Sequence, residues 1–194
     1  MLIAQLSDCH ITASGMAYGQ AHTTQALDNA VTYLNTLVPS PDMVLLTGDI
    51  ADHGQPGEYA VAASLLDRLK APFLLVPGNH DQREPLREAF PGHSYLHKSP
   101  IGTPVRYVEE SLPVKLVGLD TSRPGCHGGG LASDDLDWLE QHLSDGRPSL
   151  VFMHHPPFKV GIGNMDEDGF EGAEALESVL KRSENVVRLC CGHM

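Results

Sequence analysis

Met43-Val44-Leu45-Leu46-Thr47-Gly48-Asp49-Ile50-Ala51-Asp52 is the stretch whose reading decides the fold. Four apolar residues in a row suit a strand buried on both faces, and Gly48 then lets the backbone turn and places Asp49 at the strand's carboxyl end. The same grammar recurs along the chain. Leu2 to Leu6, Phe73 to Val76, Leu150 to Met153 and Val186 to Leu189 are short apolar runs, each followed by residues able to bind a metal: Asp8 and His10, Asn79, His154, and His193. In open α/β sheets ligands gather at the carboxyl ends of the strands, so these six residues are expected to converge from five loops.

Helical periodicity fills the intervals. Ala26, Leu27, Ala30, Val31, Leu34 and Leu37 share one face, closed off by Pro39 and Pro41, and Tyr59, Ala62, Ala63, Leu65, Leu66 and Leu69 repeat the pattern after the second strand. Strands alternating with helices predict parallel βαβ units. Further on, Val105 to Glu109 and Val114 to Leu119 predict an antiparallel pair that seeds a second sheet. Ser133 is the expected N-cap of a helix carrying Leu136, Leu139 and Leu143, with Asp134 and Asp135 suiting its dipole, and Ala173 to Arg182 reads as a helix leading to the last strand. Pro156 to Phe170 is a long connection rich in glycine and proline, a length that favours function over idle linkage.

The chain has 194 residues, 41% of them hydrophobic, enough for one domain spanning 1-194. Its 25 acidic residues against 13 basic ones give a formal charge of −12, which repels polyanions and argues against long nucleic acids as partners. Cys190 and Cys191 are adjacent, Cys9 lies between two proposed ligands and Cys126 is alone, so neither a disulfide framework nor a zinc-knuckle spacing emerges. A strand opens the chain with no room for a leader, and no apolar run approaches the ~20 residues of a membrane span, so a cytoplasmic setting without membrane contact is expected.

Alternation in an extended segment would project Asp8 and His10 together to chelate one ion, with Cys9 pointing away. Asp49 has two oxygens with which to bridge two ions. Asn79, His154 and His193 would complete a second site with the bridge. Oxygen and imidazole ligands without thiolates suit two ions drawn from manganese, iron, cobalt or zinc. Two such ions roughly 4 Å apart make a hydroxide from a bridging water and clamp the oxygens of an in-line phosphoryl displacement. His80, next to Asn79, could face the phosphoryl group and protonate the leaving alkoxide, with Asp52 orienting it.

Asp8-Cys9-His10, Gly48-Asp49-Ile50-Ala51-Asp52, Gly78-Asn79-His80-Asp81, His154-His155-Pro156-Pro157 and Gly192-His193 resemble, in order, the motif blocks of the calcineurin-like metallophosphoesterases. Tyr18-Gly19, Asp52-His53-Gly54, Glu58-Tyr59 and Phe152 to Phe158 more narrowly resemble bacterial class III cyclic nucleotide phosphodiesterases and their glycerophosphodiesterase relatives. The resemblance implies a four-layer α/β/β/α sandwich, a dinuclear centre bridged by Asp49, and hydrolysis of a small phosphodiester such as 3′,5′-cyclic AMP by a metal-bridging hydroxide. It assigns Asp8 and His10 to the first metal, Asn79, His154 and His193 to the second, and His80 to the leaving-group side. A homodimer or higher oligomer is also implied.

The family motif is Gly-His-x-His, whereas this sequence reads Gly192-His193-Met194. The expectation is a domain incomplete at its C-terminus, holding the first metal weakly through three protein ligands. The alternatives are a glycerophosphodiesterase, or a catalytically weakened metal-binding module. Other features read as structural. Asp166-Glu167-Asp168 is expected to be a solvated charge run, Gly128-Gly129-Gly130 a flexible loop, Trp138 a core residue and Asp81 a turn residue. His155 contacts substrate or docks on the surface, while His22, His93, His97, His127 and His142 are surface or supporting groups.

Overall fold

The computed structural model describes residues 1–194. Five strands form where the buried apolar runs predict them: β1 (Ile3–Leu6), β2 (Met43–Thr47), β3 (Phe73–Val76), β7 (Ser149–Met153) and β9 (Val186–Cys190). Between them come α1 (Thr23–Leu34), α2 (Pro56–Leu66), α3 (Arg83–Ala89), β4 (Arg106–Glu109), β5 (Lys115–Leu119), β6 (Gly129–Gly130), α4 (Ser133–Leu143), α5 (Gly163–Asp168), β8 (Phe170–Glu171) and α6 (Ala173–Arg182). The first two helices stop at Leu34 and Leu66, short of Leu37 and Leu69. No helix is long and apolar enough to cross a membrane.

Two sheets stand back to back. β1, β2 and β3 make a parallel sheet in that order, and β4, β5, β7 and β9 make a second in which only the β4–β5 pair is antiparallel. Alternation along the second sheet distributes its side chains. Leu116, Leu150 and Phe152 join the larger core with the first sheet and with Leu27, Val31, Tyr59, Leu66 and Leu86 of α1 to α3. Val117, Leu119, Val151 and Met153 face the other way, onto Leu136, Leu139 and Leu143 of α4 and Leu176 and Val179 of α6. Helices, sheet, sheet and helices are therefore the four layers, and β2, β3, β5 and β7 are buried along their whole length between them.

Four local expectations need correction. Ala132 caps α4 in place of Ser133, because the Asp135 carboxylate reaches back 3.3 Å to the Ala132 N–H and draws the helix start forward by one residue. Gly129 and Gly130 are not a free loop: they pair in parallel with Phe170 and Glu171. Trp138 is half-buried at the rim, stacked on His142 with centroids 4.1 Å apart and the Arg106 guanidinium 5.5 Å from its ring. Within the charge run, Asp166 accepts the Val160 and Gly161 N–H groups at 2.7 and 3.0 Å, which folds the 156–170 connection and starts α5, while Glu167 and Asp168 are exposed.

Candidate metal centre

All six sequence-predicted ligands come together at the carboxyl ends of the strands, but not by strand alternation. β1 ends at Leu6, and Asp8 and His10 lie beyond it at φ 54° and 42°. Asp49 and His193 are also left-handed, at φ 52° and 63°; four of the five non-glycine residues with positive φ are proposed ligands. Such conformations cost of order 1–3 kcal/mol each and persist where surrounding bonds over-determine them. Here the bonds are visible. Asp8 N–H donates to Gly48 C=O at 3.1 Å and His10 N–H to Asp49 C=O at 2.9 Å, so the loop after β1 is sewn to the loop after β2. Asp8 in turn accepts the His193 N–H at 3.1 Å.

Glycine is required where the loops touch. A Cβ on Gly48, itself at φ +94°, would overlap the His154 imidazole, and one on Gly78 would overlap the Asp49 carboxylate.

Asp49 is the hub. It is 2% exposed. Its Oδ1 accepts the His80 N–H at 3.0 Å. Its Oδ2 alone faces both halves of the cluster, 3.6 Å from His10 Nε2 and 3.2 Å from His154 Nε2. Asp49 Oδ1 is turned away from both imidazoles, toward the His80 backbone. Asp49 belongs to a group with His10 and His80 and to another with Asp8 and His154, each with its ligand atoms within 4.8 Å of one another. Burial works to raise its pKa, but the hydrogen bond and charge of His154 and the N–H of His80 outweigh that and hold it at about 2.

The opposite half gathers on His154, which is fully buried. Its Nδ1–H donates to Thr47 C=O at 2.7 Å, leaving Nε2 to face Asp49, Asn79 Oδ1 at 3.2 Å and His193 Nδ1 at 3.1 Å. Burial pushes the His154 pKa down, but Asp49 more than offsets it and the net shift is upward. A single proton on Nε2 cannot satisfy three neighbouring acceptors at once. Donor atoms that share one ion at ~2.1 Å sit about 3 Å from each other, so the cluster's spacings fit a shared cation. Oxygen and imidazole donors fit a divalent transition ion.

The supporting contacts revise three roles. The Asp52 carboxylate is 3.1 Å from His10 Nδ1 and 3.9 Å from His80 Nδ1, so it orients His10 rather than His80. It is the Asp52 backbone carbonyl that accepts the His80 Nδ1–H, at 2.7 Å, leaving His80 Nε2 free in a side chain 30% exposed. Tyr18 adds its hydroxyl 3.3 Å from His10 Nδ1.

Asp81 is more than a turn residue. Its buried carboxylate accepts N–H groups of Ile50, Ala51 and Gly78 at 3.1, 3.0 and 2.9 Å and the Tyr59 hydroxyl at 3.0 Å, clamping the loops after β2 and β3 together. His155 touches no surface. Its Nε2–H donates to His127 C=O at 3.0 Å and its Nδ1 pairs with Thr121 Oγ1 at 2.8 Å, while burial and then the charges of His154 and His193 push its pKa down to about 3. It packs against Gly129, where a Cβ would strike its ring. Thr121 carries no sequence signal that separates it from an ordinary strand-end residue, and the Gly78-Asn79-His80-Asp81 block marks Asp81 without revealing its clamp.

A family model described as calcineurin-like phosphoesterase matches residues 1–194. The chain is 37% identical over 198 residues to a probable glycerophosphodiester phosphodiesterase of Arcobacter nitrofigilis, covering 100% of this chain and 71% of that protein. It is 34% identical to a probable cyclic nucleotide phosphodiesterase of Synechococcus, covering 98% and 72%. It is 31% identical to a 3′,5′-cyclic adenosine monophosphate phosphodiesterase of Pseudomonas aeruginosa, covering 100% and 69%. Among solved structures, a purple acid phosphatase from yellow lupin seeds superposes with a TM-score of 0.68 at 14% identity, over 99% of this chain and 37% of that one, which shows the shared fold.

Proposed function

We propose that this chain, which belongs to the calcineurin-like phosphoesterase family, is a metal-dependent hydrolase of small phosphodiesters that works in the cytoplasm, with 3′,5′-cyclic AMP or a related cyclic nucleotide the first candidate. Glycerophosphodiesters are the second, favoured by the 37% identity to the Arcobacter protein. The observation that carries the reading is Asp49 Oδ2 set between His10 Nε2 and His154 Nε2, the arrangement a carboxylate needs to serve two ions at once.

Membership of the family implies a dinuclear centre, and the residues divide it naturally. Asp8, His10 and Asp49 would hold one ion; Asp49, Asn79, His154 and His193 would hold the other. Manganese, iron, cobalt and zinc all suit these donors. When bound, the pair of cations supplies an acidified water and positive charge for the oxygens of the displacement.

The chain's own groups do the rest. The carboxylate of Asp52 holds His10 Nδ1–H, and Thr47 C=O holds His154 Nδ1–H, so both imidazoles present Nε2 inward in fixed tautomers. His80, with Nδ1–H fixed on Asp52 C=O, keeps Nε2 free to carry a proton to the leaving alkoxide. The acidic surface, net −12, turns away long polyanionic substrates.

Manganese-loaded protein assayed on 3′,5′-cyclic AMP, a glycerophosphodiester, bis(p-nitrophenyl) phosphate and p-nitrophenyl phosphate tests this. Turnover of diesters, abolished by chelator and by His154→Ala, is expected. Turnover of the monoester alone would overturn the substrate class.

A further inference from the structure

The cluster has a linear order, with a cavity at each end. His80 packs on His10 at 4.7 Å between rings, His10 faces Asp49, Asp49 faces His154, and His154 faces His193. At the His80 end opens a cavity bordered by Thr12, Tyr18 and Glu58 together with Met16 and Ala17. At the His193 end opens another, of about 170 Å³, walled by Pro157, Phe158, Val160, Met165 and Phe170.

The second wall is built rather than incidental. Asp166 ties the N–H groups of Val160 and Gly161, so the chain doubles back and Met165 lines the same opening as Phe158. Phe170 is anchored from behind by its pairing with Gly129, and Gly129 packs on His155, whose neighbour His154 is the buried imidazole of the cluster. Phe158 is 63% exposed beside this opening, so its ring is available to a ligand. Apolar walls with one polar end are the usual anatomy of a pocket for the organic part of a ligand.

We propose that the 156–170 connection forms a subsite for an apolar, aromatic group that stays attached to phosphorus while the alcohol at the His80 end departs. This rests on the phosphodiesterase reading, because it places the phosphoryl group between the two cavities. The cavity beside His80 takes the leaving alcohol, and the Phe158 cavity takes the retained substituent. The His193 side then reads a flat apolar retained group.

The test separates binding from turnover. Manganese-loaded protein is titrated calorimetrically with phenylphosphonate and with methylphosphonate, and is assayed on the p-nitrophenyl monoesters of both, which share one leaving group and differ only in the retained one. Phenylphosphonate is expected to bind about tenfold more tightly, with a matching fall in KM for its ester, as burial of most of a phenyl ring in an open pocket requires. Phe158→Ser combined with Val160→Ser, both on the outer connection and away from the core, should bring the ratio close to one. A ratio near one in the parent protein overturns the subsite, as does a phenyl preference that survives both substitutions. Turnover of both esters without preference overturns the subsite and leaves the phosphodiesterase reading standing. Preferential binding of phenylphosphonate without any turnover does the reverse.

Discussion

Asp49 Oδ2 and His154 Nε2 face each other at 3.2 Å while the other polar atom of each side chain is already taken, Oδ1 by the His80 N–H and Nδ1 by the Thr47 carbonyl. In the metal-free chain only a proton can fill that gap, so cation binding and protonation compete for one place. The upward shift of His154 and the downward shift of Asp49 are the two sides of this contact.

Metal affinity should therefore depend on pH with a definite sign. His154 is protonated below a pKa raised above 6.5, and the ion it binds must expel that proton, so the dissociation constant of that ion should rise about tenfold per pH unit as pH falls below that value. Proton release measured by calorimetry in two buffers of different ionisation enthalpy checks it. No proton released at pH 6 would contradict it. For the metal-free fold the sign reverses: the raised His154 contributes stability below its unfolded value near 6.5 and loses it as pH rises through the folded pKa. Asp49 contributes above about 3.8 and loses its contribution only as pH falls toward 2.

Asp52→Ala discriminates between carboxylate and carbonyl. It removes the group that orients His10 and keeps the carbonyl that orients His80. The affinity of the ion held by Asp8 and His10 should fall by about 10- to 100-fold, the usual cost of a lost supporting carboxylate. Turnover at saturating metal, to which His80 contributes, should stay within a few-fold of the parent's. Collapsed turnover at saturating metal with unchanged metal affinity would show that the carboxylate serves His80 after all.

Asp81→Ala removes four hydrogen bonds from buried donors, three of them backbone N–H groups that no other side chain reaches. The expected destabilisation is about 3 kcal/mol. For a domain of this size that lowers Tm by about 6–12 °C. A melting curve superimposable on the parent's would contradict the clamp.

Burial grades the thiols. Cys126 is exposed, whereas burial pushes Cys191 to about 12, and burial together with Asp81, Asp8 and Asp49 pushes Cys9 to about 12. At pH 8 a pKa near 12 leaves roughly one thiolate in ten thousand. Iodoacetamide at that pH should modify Cys126 first and spare Cys9 and Cys191 in the folded chain, which peptide mass mapping reads directly. Equal labelling of all three would refute the burial.

Strand runs were legible because buried parallel strands are apolar on both faces, and Phe73–Val76 and Ala173–Arg182 match their predicted bounds to the residue. The convergence of Asp8, His10, Asp49, Asn79, His154 and His193 followed from strand ends meeting at one edge. The means of convergence did not. Period-two alternation predicts that Asp8 and His10 share a face, but left-handed backbone held by Gly48 and Asp49 carbonyls puts them there, and nothing in the identity of an aspartate or histidine announces positive φ. Which atom of a residue does the work is likewise invisible in a sequence. Asp52 acts on His80 through its carbonyl, which any amino acid carries, and its carboxylate goes to His10. Gly128-Gly129-Gly130 suggests freedom until Phe170 and the His155 ring are brought against it from 40 and 26 residues away, roughly, by the chain's return.

Anomalous diffraction from a crystal of the manganese-loaded protein tests the central claim most directly. The account predicts two peaks roughly 3.5–4 Å apart on either side of Asp49 Oδ2, one contacting His10 Nε2 and the other His154 Nε2 and Asn79 Oδ1. A single peak touching only one side of Asp49, or peaks remote from it, would contradict the claim.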